Sequence, residues 1–448
     1  MTTQRKTVLT LLTLDAASTI VVFNVVSFYR LEAEHFIFSP LFAPLGLLLF
    51  SIYLIDGYRS RTDMQSLDYT SLHIIAVGCA AVTTLLLTFV VLPAGYELQS
   101  SRGVIALSFT ALVPVTLAYR HLIYQRIAHS RAGRSLLYFG DAPSCEAFRE
   151  ECRKMGVAQQ VLYTALESQA PGIPAAFAER IAGIRSGKYR VEAIILRESS
   201  RDLPPDTAQQ LMDLHFGGVP TYTLELFHQV YWHKIPLYRI NPTWLFQEGF
   251  QIAREPVFER LKRASDLGLA GVGLVLAAPL IAVAAVAIWA EDRGPVWFRQ
   301  SRVGRNRTPF QLVKLRTMRP DSASADLYTR PGDLRITRVG RFLRATRIDE
   351  MPQLWNVFRG DMSLIGPRAE WDRLVSEYER QIPCYSFRHL VKPGITGWAQ
   401  VNYPYGASVE DTLRKLEYDL YYIRHFSFLL DASIALKTVQ IMLFGKGR

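Results

Sequence analysis

The chain has 448 residues, of which 49% are hydrophobic, and its 51 basic and 40 acidic residues give a formal net charge of +11. This length allows two or three domains. The four cysteines, Cys79, Cys145, Cys152 and Cys384, have neither the paired spacing of a zinc site nor the density of a disulfide scaffold, which excludes those two classes and favours a reduced cytoplasmic setting.

Four apolar stretches occupy the first quarter of the chain, at residues 8–28, 38–55, 72–92 and 104–119. Each approaches the roughly 20 residues that cross a bilayer core, so we predict a four-helix transmembrane anchor over residues 1–125. No small-residue cleavage site follows the first stretch, which favours an anchor over a removable signal peptide. Basic residues are concentrated before the first stretch, between the second and third, and after the fourth. The positive-inside rule therefore places both ends of the anchor in the cytoplasm.

A Rossmann-like α/β module is predicted over residues 134–250. SLLYFG and VEAIIL are typical of buried strands, and EAFREECRKMG and AAFAERIAGI are typical of helices. The turn after the first strand reads GDAPS, with one glycine where a dinucleotide-binding turn needs three. We therefore expect a structural or regulatory module without a bound dinucleotide.

A fifth apolar run, residues 267–290, opens a third segment predicted over residues 258–448. The run is long enough to span the membrane, but basic residues on both flanks favour the cytoplasmic side. Pro279 lies at its middle, where proline removes a backbone hydrogen bond and kinks a helix. We favour a re-entrant helix over residues 262–290 that breaks at Ala278-Pro279 and returns to the same face.

Within this third segment, arginines recur every three residues at Arg335, Arg338, Arg341, Arg344 and Arg347. Guanidinium groups suit phosphate in general, and nucleic acid is one partner for such a run. A membrane anchor favours lipid phosphates and nucleotide-linked substrates instead, and no helix-turn-helix or aromatic-basic platform accompanies the arginines. We therefore predict no nucleic-acid partner.

Two adjacent carboxylates, Asp349 and Glu350, follow the arginines. Helix neighbours point about 100° apart, so the pair cannot straddle a sugar as glycosidase carboxylates do. One carboxylate could attack phosphorus while the other holds a divalent cation, and we expect the arginines to lower both pKa values. Pro352 is expected to begin a helix. The alternative is a capping box, Thr346-x-x-Asp349, that only caps this helix.

Five ordered blocks resemble the bacterial polyprenyl-phosphate sugar-phosphate transferases, the monotopic phosphoglycosyl transferase superfamily. They are KRASDLGLAGVGLVLAAPL, GPVWFRQSRVGRNRTPFQLVKLRTM, RITRVGRFLRATRIDEMPQLWNVFRGDMSLIGPR, VKPGITGWAQVN and EYDLYYIRHFSFLLD. The anchor and α/β module are similar to those of its long forms, and QVNYPYGASVEDTL is similar to its exopolysaccharide, exosortase-associated branch.

The resemblance implies transfer of a sugar 1-phosphate from a UDP-sugar to undecaprenyl phosphate, with UMP release, at the cytoplasmic face of the bacterial inner membrane. It implies that Asp349 is the nucleophile and that Glu350, with Asp349, holds Mg²⁺. Substrate phosphates would be bound by Lys314, Arg316, Arg344 and Arg368, and Pro279 would be the helix break. Further expected partners are membrane lipids and a second copy or a polysaccharide-assembly complex. The alternative function is a catalytically idle membrane scaffold of such a complex.

The resemblance is weakest where the donor sugar would be recognised. Asn402 is followed by Tyr403-Pro404-Tyr405 where many relatives have glycine and arginine, and GPRAE keeps Arg368 but lacks the second proline. The last helix, residues 428–443 before GKGR, fits either an interfacial or an ordinary packed helix. The fold class predicted is therefore a mixed membrane protein: a four-helix bundle, a Rossmann-like module and a mainly helical catalytic domain anchored by a re-entrant helix.

Overall fold

A computed structural model describes residues 2–32, 36–59, 62–92, 97–131, 133–157, 159–165, 175–197, 205–237, 256–319, 333–404, 406 and 408–444. The chain forms two compact units, residues 1–233 and 234–448. The predicted boundary of the α/β module near residue 250 lies outside the described residues.

The first unit begins with the four predicted apolar helices, α1 (Thr2–Leu31), α2 (Phe42–Leu54), α3 (Leu67–Leu86) and α4 (Arg102–Arg131). Three of them, with the turn that extends α3 to Val91, are long and apolar enough to cross a membrane. The second has 13 residues, about 20 Å of helix, which is below the usual spanning length. The predicted helices are confirmed, but α2 is shorter than its apolar stretch.

A buried ion pair joins α1 to α4. Both guanidinium Nη atoms of Arg120 bond to the two carboxylate oxygens of Asp15, at 2.7 and 2.6 Å, and both side chains are completely buried. The hydroxyl of Tyr58 donates a third bond to Asp15 at 2.7 Å. Such a pair needs this full set of partners, because a single buried charge in an apolar bundle is very costly.

The remainder of the first unit is a parallel sheet in the order β2-β1-β3-β4. The strands are β1 (Ser135–Gly140), β2 (Val161–Ala165), β3 (Val191–Leu196) and β4 (Thr221–Thr223). The helices are α5 (Ala142–Lys154), α6 (Ala175–Arg185), α7 (Pro205–Phe216) and α8 (Leu224–Phe227). Apolar clusters cover both sheet faces, one around Phe148 and one around Leu211. The nearly continuous burial of β1 and β3 is what a parallel sheet covered on both faces requires.

The second unit is mainly helical. Its elements are α9 (Pro256–Asp292), β5 (Trp297–Val303), β6 (Pro309–Leu315), α10 (Arg338–Thr346), α11 (Gln353–Arg359), β7 (Ser363–Ile365), α12 (Asp372–Gln381), β8 (Gly394–Thr396), α13 (Trp398–Asn402), α14 (Val409–Arg424) and α15 (Phe428–Phe444). β5 and β6 form an antiparallel hairpin, and β7 pairs with β8 in parallel. The main core lies between α12, α14 and α15.

Both ends of α9 are attached to the rest of this unit. Near its start, Arg263 donates to the carbonyl oxygens of Val357 and Phe358, at 2.6 and 2.7 Å. At its end, Asp292 pairs with Arg316. Between these attachments one face packs on the unit through Ala270, Ala284 and Ile288. The other face is exposed and apolar, with Val272, Val275, Leu276, Val283 and Val286. The helix is continuous through Pro279, so the helical structure does not break where a break was predicted. The re-entrant path stays a prediction.

The last helix, α15, packs Ile434 and Leu436 into the core and leaves Met442, Leu443 and Phe444 exposed at its end. The predicted helix is confirmed, and the basic tail lies outside the described residues.

Two glycines bring the ends of β7 and β8 together: a Cβ on Gly394 would lie 2.1 Å from the backbone nitrogen of Gly366. This close backbone approach fixes the loop that carries Arg368, which forms a parallel bridge to Gly394.

Candidate active site

The predicted carboxylate pair lies in a short turn between two helices. α10 begins at Thr337, whose hydroxyl accepts from the Gly340 N–H at 2.9 Å, and ends where Arg347 adopts a left-handed φ of 59°. A 3-10 turn, Ile348–Glu350, follows, and Pro352 is the N-cap of α11 as predicted. The capping-box alternative is wrong, because the Thr346 hydroxyl bonds back to the Phe342 carbonyl within α10, at 2.9 Å.

The Asp349 side chain is buried at 8% exposure, and its Oδ1 has no hydrogen-bond partner among the described residues. Burial, with the adjacent charge of Glu350, raises the pKa of Asp349 to about 6, although Lys314 and Arg344 act in the opposite direction. The expectation of a lowered pKa is wrong for Asp349, because desolvation outweighs the arginines that act downward. The carboxyl is nonetheless mostly ionised at pH 7.

Glu350 has the opposite electrostatic character. Its carboxylate accepts from the Lys314 ammonium at 2.8 Å and lies 3.5 Å from Arg347. Burial raises the pKa of Glu350, but the Lys314 charge and the neighbouring arginines outweigh burial and lower it to about 2. Two carboxyls adjacent in sequence therefore have different environments: Glu350 is held by a cation, and Asp349 keeps an oxygen that has no hydrogen-bond partner among the described residues.

Asn356 positions the strand that carries Lys314, and sequence reasoning missed it. Its side chain accepts from the Val313 N–H at 3.0 Å and donates to the Gln311 carbonyl at 2.7 Å, which fixes α11 against β6. Asn356 is almost completely buried. The available signal was a polar amide within an apolar helix, since buried amides require partners.

A small cleft beside the pair brings three cations together. Lys314 and Arg368, both predicted, line it with Arg302, which was not predicted, and with Leu312, Gln353 and Met362. The pairing of Arg302 with Phe310 and of Lys314 with Phe298 places both cations on one face of the β5–β6 hairpin. Burial lowers the pKa of Lys314, against the opposing effect of Glu350.

The other predicted residues differ in whether another side chain already holds them. Arg344 donates from Nε to the Thr317 hydroxyl at 2.8 Å, and its charge acts on Asp349. Arg316 is held by Asp292 at the end of α9, with one contact at 2.6 Å, so the structure gives it a structural partner and its phosphate contact stays a prediction. Pro279 lies in the middle of α9.

The predicted magnesium can be tested against the donor atoms. No group of three or more histidine, cysteine or acidic side chains suitable for a metal occurs within the described ranges. Mg²⁺ commonly takes only one or two protein carboxylates and completes its shell with substrate phosphates and water. The free Oδ1 of Asp349 and the adjacent Glu350 carboxylate fit this pattern.

The segment expected to face the donor sugar is held by its own hydrogen bonds. Tyr403 donates to Asp411 at 3.1 Å, and Ser408 and Asp411 form the capping box of α14. Tyr405 lies outside the described residues.

This geometry defines a membrane-associated domain with an acidic pair beside clustered cations. The family model of the bacterial sugar transferases matches residues 257–445. The chain is 37% identical over 262 residues to the UDP-N-acetylgalactosamine-undecaprenyl-phosphate N-acetylgalactosaminephosphotransferase of Aeromonas hydrophila, covering 58% of this chain and 61% of the relative. It is 45% identical over 189 residues to the UDP-glucose:undecaprenyl-phosphate glucose-1-phosphate transferase of Caulobacter vibrioides, covering 41% and 69%.

A protein of the latter name from Escherichia coli is 42% identical over 184 residues, which cover 40% of this chain and 39% of that relative. The match thus spans between about two fifths and two thirds of the lengths of these relatives. The chain belongs to the bacterial sugar transferase family, and its predicted resemblance to polyprenyl-phosphate sugar-phosphate transferases is confirmed.

Proposed function

We propose that this chain is an enzyme that transfers a sugar 1-phosphate from a UDP-sugar to undecaprenyl phosphate, releasing UMP and initiating an exopolysaccharide or another surface glycan. The observation that carries the proposal is the state of Asp349: a buried carboxylate with one oxygen that none of the described residues bonds, next to a cationic cleft. The relatives, named as sugar-phosphate transferases to undecaprenyl phosphate, support the substrate classes.

In the first step, a carboxylate oxygen of Asp349 attacks the phosphorus that carries the sugar. The bond from this phosphorus to the bridging oxygen breaks, and UMP leaves with that oxygen and the electron pair. Partial desolvation of Asp349 favours attack, because a poorly solvated carboxylate loses less hydration on reaching the transition state. The positive charges of Lys314 and Arg344 offset the repulsion between the Asp349 carboxylate and the substrate phosphates.

In the second step, a phosphate oxygen of undecaprenyl phosphate attacks the same phosphorus. The acyl phosphate bond breaks, Asp349 regains its carboxylate, and the product is undecaprenyl diphosphate-sugar. Since both steps use one site in turn, the kinetics are of the ping-pong type.

Mg²⁺ would be held by Glu350 and Asp349. When bound, it neutralises phosphate oxygens as charge develops on them. Glu350 needs to stay ionised for this role, and its pairing with Lys314 keeps it so.

We further propose that α9 is re-entrant and that the catalytic domain lies on the cytoplasmic face of the inner membrane. A straight helix of 37 residues would be about 55 Å long, and its two ends would lie on opposite sides of a bilayer if it spanned one. Both ends instead contact the same domain, through Arg263 and Asp292, while the apolar middle is exposed. Basic residues on both flanks support this arrangement.

The test uses the purified full-length chain, a panel of UDP-sugars, and no acceptor. We expect at least one donor to release UMP in an amount close to that of enzyme, followed by turnover once undecaprenyl phosphate is added. Asp349→Asn should abolish both phases, whereas Glu410→Gln, at an exposed carboxylate of α14, should retain both. Full turnover by Asp349→Asn would contradict the proposal, as would UMP release that requires the acceptor.

A further inference from the structure

Arg302 is a buried cation whose charge is weakly compensated. Its side chain is 16% exposed and donates from Nη1 to the Ala369 carbonyl at 3.0 Å and from Nη2 to Gln300 at 2.6 Å. Its ion-pair partner Glu370 is 3.9 Å away. Glu370 is also shared with Arg388, at 3.6 Å. One carboxylate at the limit of ion-pair distance therefore serves two guanidinium groups.

A second cation lies near Arg302. Arg368 lines the same cleft, and its charge acts on Glu350, but within the described part of the chain its guanidinium makes no ion pair. Burial, followed by the charge of Arg368, lowers the pKa of Arg302 to about 10. Burying like charges together is unfavourable unless an anion joins them.

Arg302 also has one unused hydrogen-bond donor. Its Nε is buried and has no acceptor among the described residues. The third cation of the cleft, Lys314, is already paired with Glu350. The cleft is only about 10 Å³, no more than one water molecule needs, so an anion enters it when the lining side chains move apart. It would then meet Arg302 and Arg368, with Lys314 beside the carboxylate pair.

We propose that Arg302, together with Arg368, binds the phosphate that departs with the nucleotide. This inference rests on the proposed transferase function. When the bond to the bridging oxygen breaks, the electron pair stays on that oxygen, so the departing monophosphate gains negative charge. Guanidinium groups held in place before this charge develops stabilise it without reorganising.

The hairpin offers a matched control. Arg299 lies three residues before Arg302 on β5, opposite Val313, so its side chain projects from the other face. Arg299 is exposed. A substitution there removes the same charge from the same strand without entering the cleft.

The experiment compares Arg302→Gln, Arg302→Lys and Arg299→Gln in the full-length protein. For Arg302→Gln we expect UMP to bind at least about tenfold more weakly by calorimetry, and UMP release from the UDP-sugar to slow by about 10²-fold or more. Arg302→Lys keeps the charge but not the planar fork, so intermediate values are expected. Arg299→Gln should match the wild type, and the KM for undecaprenyl phosphate should stay unchanged in all three.

Wild-type affinity for UMP in a folded Arg302→Gln protein would overturn this inference. Equal losses toward UMP and undecaprenyl phosphate would also overturn it, because they would indicate a general structural role. If Arg302→Gln does not fold, the UMP affinity of Arg302→Lys is used instead: weaker binding than in the wild type supports the inference, and wild-type binding overturns it. A wild-type protein that binds UMP through Arg302 but releases none from any UDP-sugar would refute the proposed function, and only the UMP site at Arg302 would remain.

Discussion

Replacing Asp349 by asparagine is expected to stabilise the protein increasingly as the pH rises. The pKa of Asp349 is raised from 3.8 to about 6, so between these values the folded state binds more protons than the unfolded state. The free energy of unfolding of the wild type therefore falls with pH across this window. A shift of about two pKa units corresponds to about 3 kcal/mol, reached above about pH 7 and absent below about pH 3. Asparagine cannot ionise and escapes this cost.

The assay is thermal or denaturant unfolding of the detergent-solubilised wild type and Asp349→Asn at about pH 4.5 and about pH 7.5. Roughly 2 kcal/mol of the difference should develop between these two values, equivalent to at least about 4 °C in Tm for a unit of this size. Glu410→Gln serves as the control, since it removes a carboxylate whose side chain is 67% exposed. Parallel pH profiles of Asp349→Asn and the wild type would refute the assignment of Asp349 as a buried, ionised carboxylate.

Three further substitutions test the surroundings of the site and the anchor. Glu350 raises the pKa of Asp349, so Glu350→Gln should move the pH midpoint of UMP release below about 6. Lys314 lowers the same pKa, so the midpoint of the release that remains in Lys314→Met should lie above about 6. Shifts in the reverse directions would contradict this coupling. Asn356→Ala should cost about 2 kcal/mol or more by leaving the Val313 N–H and Gln311 carbonyl without their partner, whereas an unchanged Tm would show that α11 is held otherwise. Asp15→Asn should cost about 3–5 kcal/mol by leaving Arg120 uncompensated, and the double variant Asp15→Leu, Arg120→Leu should recover much of that loss; no recovery would refute the role of the buried charge.

The elements that the sequence predicted well are those with a local signal. Strands β1 and β3 and the start of α11 after Pro352 follow from apolar runs and proline geometry. The short α2 shows the limit of this reasoning, because an apolar stretch reports hydrophobicity but not where a helix begins. Element type was thus predictable, and helix length was not.

The candidate site was only partly predictable for the same reason. Asp349 and Glu350 were identified as a pair, but their different environments depend on burial and on Lys314, which lies 36 residues away in sequence. Arg302 had no distinguishing pattern, since its position comes from the hairpin register. Asn356 had only a weak one, a polar amide within an apolar helix, since its role comes from packing against β6. Charges adjacent in sequence indicate that a site exists, whereas the pKa of each group depends on the folded surroundings.

Intact-protein and peptide mass spectrometry after mixing with the UDP-sugar, without acceptor, tests the central claim most directly. We predict that the chain gains the mass of one sugar phosphate, that the added mass maps to Asp349, and that undecaprenyl phosphate removes it. A protein that turns over both substrates but never carries this adduct, or carries it on another residue, would contradict the proposed mechanism.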